Sequence, residues 1–139
     1  MVVRKMKKVF LGGTCNNSKW RDRMIPLLNE AGVGYFNPVV ENWTPECQAE
    51  EIRQRETCDF VLYTLTPKMV GVYSVAEVVD DSNKRPEKTI FIPLEDDGVD
   101  LFTFTQWKSI QATADMVQRN GAKVFYNMKD AAKYIGDVK

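Results

Sequence analysis

The sequence predicts an α/β fold, a single domain over residues 1–139 built on a doubly wound, five-stranded parallel sheet. Three observations carry this. Short apolar runs rich in β-branched and aromatic residues alternate with longer segments of helical periodicity. The run Phe60–Leu65 is almost continuously apolar, as a central strand covered on both faces must be. No repeat, low-complexity tract or linker interrupts the 139 residues, a length that suits one domain with a buried core. Parallel strands joined through helices take right-handed crossovers, so the expected arrangement is flavodoxin-like with strand order 2-1-3-4-5.

Taken in order, Lys8–Leu11 is strand 1, followed by Gly12, Gly13 and Thr14. Small residues there let a ligand approach the backbone, or simply make a tight turn; neither a P-loop nor a G-x-G-x-x-G fingerprint is present. Asn16, Asn17 or Ser18 caps the first helix, whose inward face is Trp20, Met24, Leu27, Leu28 and Ala31. Pro26 kinks it, and Gly32 and Gly34 end it. Strand 2 is Gly34–Asn37. Asn37 precedes Pro38 at a strand's carboxyl end, either as a turn residue or in contact with a ligand. The loop Val39–Thr44 carries Trp43, a lid or a stacking surface for a base, or else a satellite core contact. Thr44-Pro45-Glu46 starts a helix that runs to Thr57, with Glu51 and Arg55 as i,i+4 partners on a solvated face.

Strand 3, Phe60–Leu65, ends at Thr66-Pro67-Lys68. Ser74 is then the N-cap of a helix over Val75–Ser82, and Glu77 completes a capping box before the helix frays at Asp80–Asn83. Thr89–Leu94 is strand 4. The acidic stretch Glu95–Asp100 follows it and lacks a calcium-loop pattern. Thr105–Asn120 is a long helix with Trp107, Ile110, Ala114 and Val117 inward and Gly121 as its stop. Lys123–Tyr126 is strand 5, and Lys129–Ile135 closes the fold.

Composition narrows the chemistry. Lysine plus arginine and aspartate plus glutamate each number 19, so no polyanion or membrane surface is implied as partner. The one basic cluster, Arg4-Lys5-Lys7-Lys8, solvates the start of strand 1, and no nucleic-acid partner is expected. No apolar run is long enough to span a bilayer and no signal peptide is visible. The three cysteines, without a C-x-x-C pair, suit free thiols in a reducing cytoplasm. Histidine is absent, which removes Ser-His-Asp and Cys-His chemistry and any histidine-ligated metal. No metal or other cofactor is expected. Chemistry must rest on carboxylates, hydroxyls, amides or thiols.

Glu77 is the leading candidate. Ligands of an open α/β sheet sit beyond the carboxyl ends of the strands, which is where the helix after strand 3 begins. Glu77 is thus either a capping carboxylate or a group of the binding crevice.

The blocks Val9-Phe10-Leu11-Gly12-Gly13, Trp20, Asn37-Pro38 with Trp43, Glu51 to Asp59, and Ser74-Val75-Ala76-Glu77 resemble the nucleoside 2-deoxyribosyltransferase-like family. The resemblance covers Lys8 to about Glu95. It implies that Glu77 is a nucleophile toward the anomeric carbon of a deoxyribonucleoside or its 5′-monophosphate, and that Glu51 moves protons on the base. It implies further that Gly12, Gly13 and Ser74 bind sugar or phosphate, and that a neighbouring chain completes the site in a homo-oligomer. Two positions depart from the family's pattern. Phe10 stands where many members carry tyrosine, and Gly71 where transferases carry an acidic residue six before the nucleophile; Tyr73 is a candidate source of the missing hydroxyl. A binding protein without chemistry and a glycohydrolase of larger nucleotides such as NAD are the alternatives.

Overall fold

The computed structural model describes residues 6–15 and 17–138. Asn16, one of the expected helix caps, and Arg4 and Lys5 of the basic cluster lie outside these. The central sheet comprises β1 (Lys8–Gly13), β2 (Gly34–Phe36), β3 (Phe60–Leu65), β4 (Thr89–Pro93) and β7 (Lys123–Val124). Its order is β2-β1-β3-β4-β7 and every pairing is parallel, the 2-1-3-4-5 arrangement predicted once a small separate hairpin is set aside. The helices are α1 (Trp20–Glu30), α2 (Pro45–Thr57), α3 (Tyr73–Lys84), α4 (Phe104–Arg119) and α5 (Met128–Asp137).

Alternation along the strands sends side chains to two cores. Val9, Leu11, Leu62, Ile90 and Ile92 pack with Trp20, Met24 and Leu28 of α1 and Ala131 and Ile135 of α5. Phe10, Val61, Tyr63, Leu65 and Phe91 pack on the opposite face with Val78 of α3 and Ile110, Ala114 and Val117 of α4. All six residues of β3 are buried, which is why its sequence shows no polar alternation.

Helix α2 is different. Its only buried residue is Gln54, and Ile52 is exposed. It therefore has no apolar stripe to close against α3. Polar contacts hold it: Thr44 caps its start by accepting from Cys47 N, and Lys88 Nζ donates to the carbonyls of Glu56 and Cys58 at its end. A cleft is left open between α2 and α3.

Several expectations are corrected. Gly12 and Gly13 do not follow β1 but belong to it, paired with Tyr63 and Thr64. α1 begins at Trp20 after Lys19, with no side-chain cap. Ser18 instead donates to Asp97 at 2.6 Å, and Gly34 lies in β2 while Gly32, at φ 73°, ends α1. α3 starts at Tyr73 with Val72 as N-cap and no side-chain cap bond, so the Ser74–Glu77 capping box does not form. Nor does α3 fray at Asp80: it continues to Lys84, because Asp81 and Ser82 are fully buried and bonded. The acidic stretch after β4 forms a hairpin, β5 (Asp96–Asp97) and β6 (Asp100–Leu101), turning at Gly98 with φ 66°. The last strand stops at Val124, two residues before the expected end.

Candidate active site

The exit of β1 is tightly built. A Cβ on Gly12 would meet Tyr63 Cε1 at 2.5 Å and Phe10 Cε1 at 3.0 Å. Gly13 has φ 114°, and a Cβ there would lie 2.1 Å from the Thr64 carbonyl oxygen. Both glycines are thus demanded by packing between β1 and β3. Thr14 is buried; its N–H donates to Thr64 O at 2.9 Å, and its Oγ1 accepts from Thr66 N at 2.9 Å. Beyond these residues lies a pocket of about 230 Å³, lined by Gly13, Thr14, Cys15, Leu65, Met69, Gly71, Tyr73, Ser74 and Glu77 among others.

The cleft between α2 and α3 is larger, about 510 Å³. Trp43, Gln48, Glu51, Ile52 and Arg55 line one wall, and Tyr73, Glu77, Asp80 and Lys84 the other. Two stripes at i,i+4 spacing make this arrangement: Glu51 and Arg55 on α2, and Tyr73, Glu77 and Asp81 on α3. Tyr73 and Glu77 line both cavities, so Glu77 stands where the two meet.

Arg55 does not pair with Glu51 on a solvated face. Its side chain is 11% exposed and reaches across to α3. Nε donates to Asp81 Oδ2 at 3.1 Å, and Nη2 to Asp81 Oδ1 at 3.0 Å and Asp80 Oδ2 at 3.1 Å. Asp81 is fully buried and also accepts from Tyr63 Oη and Arg85 Nη1. Nη1 of Arg55 lies 3.7 Å from Glu77 Oε2.

These surroundings decide protonation. Burial pushes the Glu77 carboxyl up to about 7; Arg55 opposes this, while the charges of Glu51 and Asp81 add to it. Burial also raises Glu51, against the pull of Arg55 and Arg21. For Arg55, burial works against the charge but is overcome by the hydrogen bond to Asp81 and by the surrounding acidic groups, which hold it above its ordinary value. Burial, with Asp81 beside it, raises Tyr63. A carboxyl that titrates near 7 exists both as a base and as an acid at neutral pH. A second carboxyl in the same cleft, Glu51, also raised by burial, can divide nucleophilic and acid roles with it.

The predicted residues divide accordingly. Glu51, Trp43, Tyr73 and Glu77 share the larger cleft, and Gly13, Thr14, Tyr73, Ser74 and Glu77 the smaller pocket. Trp43 is 57% exposed and so is not a core contact. Gly12 lines neither cavity, its missing side chain being taken up by the Tyr63 ring. Asn37 is exposed, lines neither cavity and accepts from Val39 N at 3.1 Å, a local turn bond. Among the described residues no group of three or more acidic or cysteine side chains converges to hold a metal ion.

Two arginines escape sequence analysis. Arg55 looks like any surface helix charge, and its partners are more than twenty residues away in sequence. Arg21 is buried, donates to the carbonyls of Leu11 and Thr14 at 3.1 and 2.7 Å, and stacks on Trp20 at 4.5 Å. A signal for Arg21 was present: it precedes the buried Met24 and Leu28 by three and seven residues, on their helix face.

Among curated proteins, none matches the sequence significantly. A protein-family model does match, over residues 6–94, and its description is nucleoside 2-deoxyribosyltransferase like. That span takes in β1, α2, β3 and α3, the elements that bring Glu51, Arg55, Tyr73 and Glu77 together. With well over half of its length matched, the chain belongs to the nucleoside 2-deoxyribosyltransferase-like family.

Proposed function

We propose that the protein cleaves or transfers the N-glycosidic bond of a deoxyribonucleoside or its 5′-monophosphate, with Glu77 as nucleophile and Glu51 as the acid on the departing base. The observation that carries this is the position of Glu77 at the meeting of two cavities, with Glu51 in the larger one. A substrate lying across both puts its sugar over Glu77, its base against Trp43 in the larger cleft, and its 5′ end toward Thr14 and Ser74.

In the first step a Glu77 carboxylate oxygen forms a bond to C1′ as the C1′–N bond breaks. The bonding pair leaves with the base, which takes a proton from Glu51. The transition state carries oxocarbenium character, which a carboxylate below the ring stabilises. In the second step an acceptor base or water attacks C1′, gives its proton to Glu51, and releases Glu77 as carboxylate. The chemistry asks for no metal or organic cofactor. Val70, Val72 and Tyr73 are exposed apolar residues beside the smaller pocket, which supports a neighbouring copy of the chain against that mouth. The free thiols of Cys15, Cys47 and Cys58 are compatible with a cytoplasmic setting.

The test is chromatography of free base released from deoxynucleosides, their 5′-monophosphates and NAD, with and without an acceptor base. Wild type is expected to release base from the deoxy substrates and Glu77→Ala to release none while keeping its fold. Full activity in Glu77→Ala refutes the mechanism. Silence of the wild type across the panel, with nucleotide binding retained, makes this a binding protein.

A further inference from the structure

We propose that Arg55 is the positioning residue for Glu77, clamped by Asp81 so that the free edge of its guanidinium holds a positive charge beside the Glu77 carboxylate. This rests on the role proposed for Glu77.

The geometry of the guanidinium leads there. Of its three nitrogens, Nε and Nη2 are committed to Asp81 in a two-point clamp, and Nη2 also serves Asp80. Nη1 has no hydrogen-bond partner among the described residues, and the group it faces is Glu77 Oε2 at 3.7 Å. The clamp is anchored from below: Asp81 has no exposed surface, and Tyr63 of β3 and Arg85, just past the end of α3, both donate to it. Asp81 and Asp80 each have a further cation, Arg85 and Lys84. Among the described residues Glu77 has Arg55 alone. Phe10, in the core on this side of the sheet, offers no hydroxyl to share the task.

At 3.7 Å the Arg55–Glu77 contact is a charge contact rather than a closed hydrogen bond. It leaves the carboxylate free to leave the arginine for an electrophilic carbon without breaking a short bond. The other charged and titratable groups around Glu77 are Glu51 and Glu56 on α2, Asp80, Asp81 and Lys84 on its own helix, Arg85 just past that helix, Tyr63 below and Tyr73 at the rim. The two cations among them, Lys84 and Arg85, are paired with Asp80 and Asp81, and neither forms an ion pair with Glu77. Removal of Arg55 therefore leaves Glu77 among like charges, and its carboxyl moves to higher pH.

The experiment is a carbon-13 titration of glutamate carboxyls in the intact protein, with the Glu77 resonance identified by its loss in Glu77→Gln. It compares wild type with Arg55→Met and Arg55→Lys. In Arg55→Met the Glu77 midpoint is expected to rise by about one pH unit or more, the range for a carboxylate that loses an adjacent arginine. The base-release pH profile is expected to move by the same amount, with kcat at pH 7 down about tenfold or more and KM within about threefold. An unmoved midpoint in folded Arg55→Met overturns the proposal. If Arg55→Met does not fold, Arg55→Lys decides: its single ammonium is drawn to Asp81, so a raised midpoint supports the proposal and an unmoved one refutes it. Because the titration needs no turnover, an inactive wild type refutes the glycosidic mechanism while the Arg55–Glu77 coupling is still read directly.

Discussion

Replacing Glu77 by glutamine should make the protein more stable, and increasingly so as pH rises. The Glu77 side chain is 15% exposed, and its carboxyl titrates at about 7 in the fold against 4.5 for the free side chain. The folded state therefore holds the proton more tightly than the unfolded chain. The stability that the neutral carboxyl contributes is fully present below about 4.5 and is lost as pH climbs through about 7. At roughly 1.4 kcal/mol per pH unit, the ionised side chain costs the fold about 1 kcal/mol at pH 5 and about 3 kcal/mol at pH 8. Glutamine has the shape of the neutral acid and never ionises. Glu77→Gln should thus match wild type near pH 4.5 to within about 1 kcal/mol and exceed it by about 3 kcal/mol at pH 8. For a chain of this size that is on the order of 10 °C in Tm. Thermal and urea unfolding of both proteins between pH 5 and pH 8.5 measure this. A difference that stays flat with pH, or a less stable variant at pH 8, refutes the account of Glu77 as a desolvated carboxyl. The same variant should release no base, which would separate the site's chemistry from the fold's stability.

Other outcomes follow from the same geometry. Base release should rise as pH climbs through about 7, since Glu77 must be ionised to attack; a midpoint near 4.5 would exclude it as the limiting group. Trp43→Ala should raise KM by about tenfold, from loss of about 1–3 kcal/mol of base stacking, with Tm barely changed because the ring is exposed. Asp81→Ala should destabilise by roughly 3–5 kcal/mol, because Arg55 and Arg85 lose a fully buried partner; urea unfolding reads this. Gly12→Ala should cost about 1–3 kcal/mol by driving a methyl into the Tyr63 ring, with a matching fall in Tm.

The residues of the candidate site are better marked in this sequence than the forces that tune them. Glu51, Trp43 and Glu77 stand at loop and helix positions set by the strand pattern, and they do share a cleft. Glu77 was also open to a reading as a helix cap, which fails because α3 starts at Tyr73, one residue before the expected cap. Nothing in the local sequence moves that start, since serine before an apolar run favours a cap wherever tertiary contacts are silent. Asn37 and Gly12 line neither cavity, for opposite reasons. One satisfies its own turn, and the other makes room for a ring on the neighbouring strand.

By itself the sequence determined the alternation of strands and helices, the identity of β3 as the buried central strand, and the sheet order. All of these follow from the period of apolar residues and from short parallel connections, which are local properties of the chain. Only the tertiary structure decided that α2 stands off α3 to leave a cleft, and that Arg55 turns away from Glu51 toward Asp80 and Asp81. It also decided that burial lifts Glu77 to about 7. Those outcomes depend on charges brought together across elements and on water removed from between them. Neither has a signature in the spacing of residues along one segment.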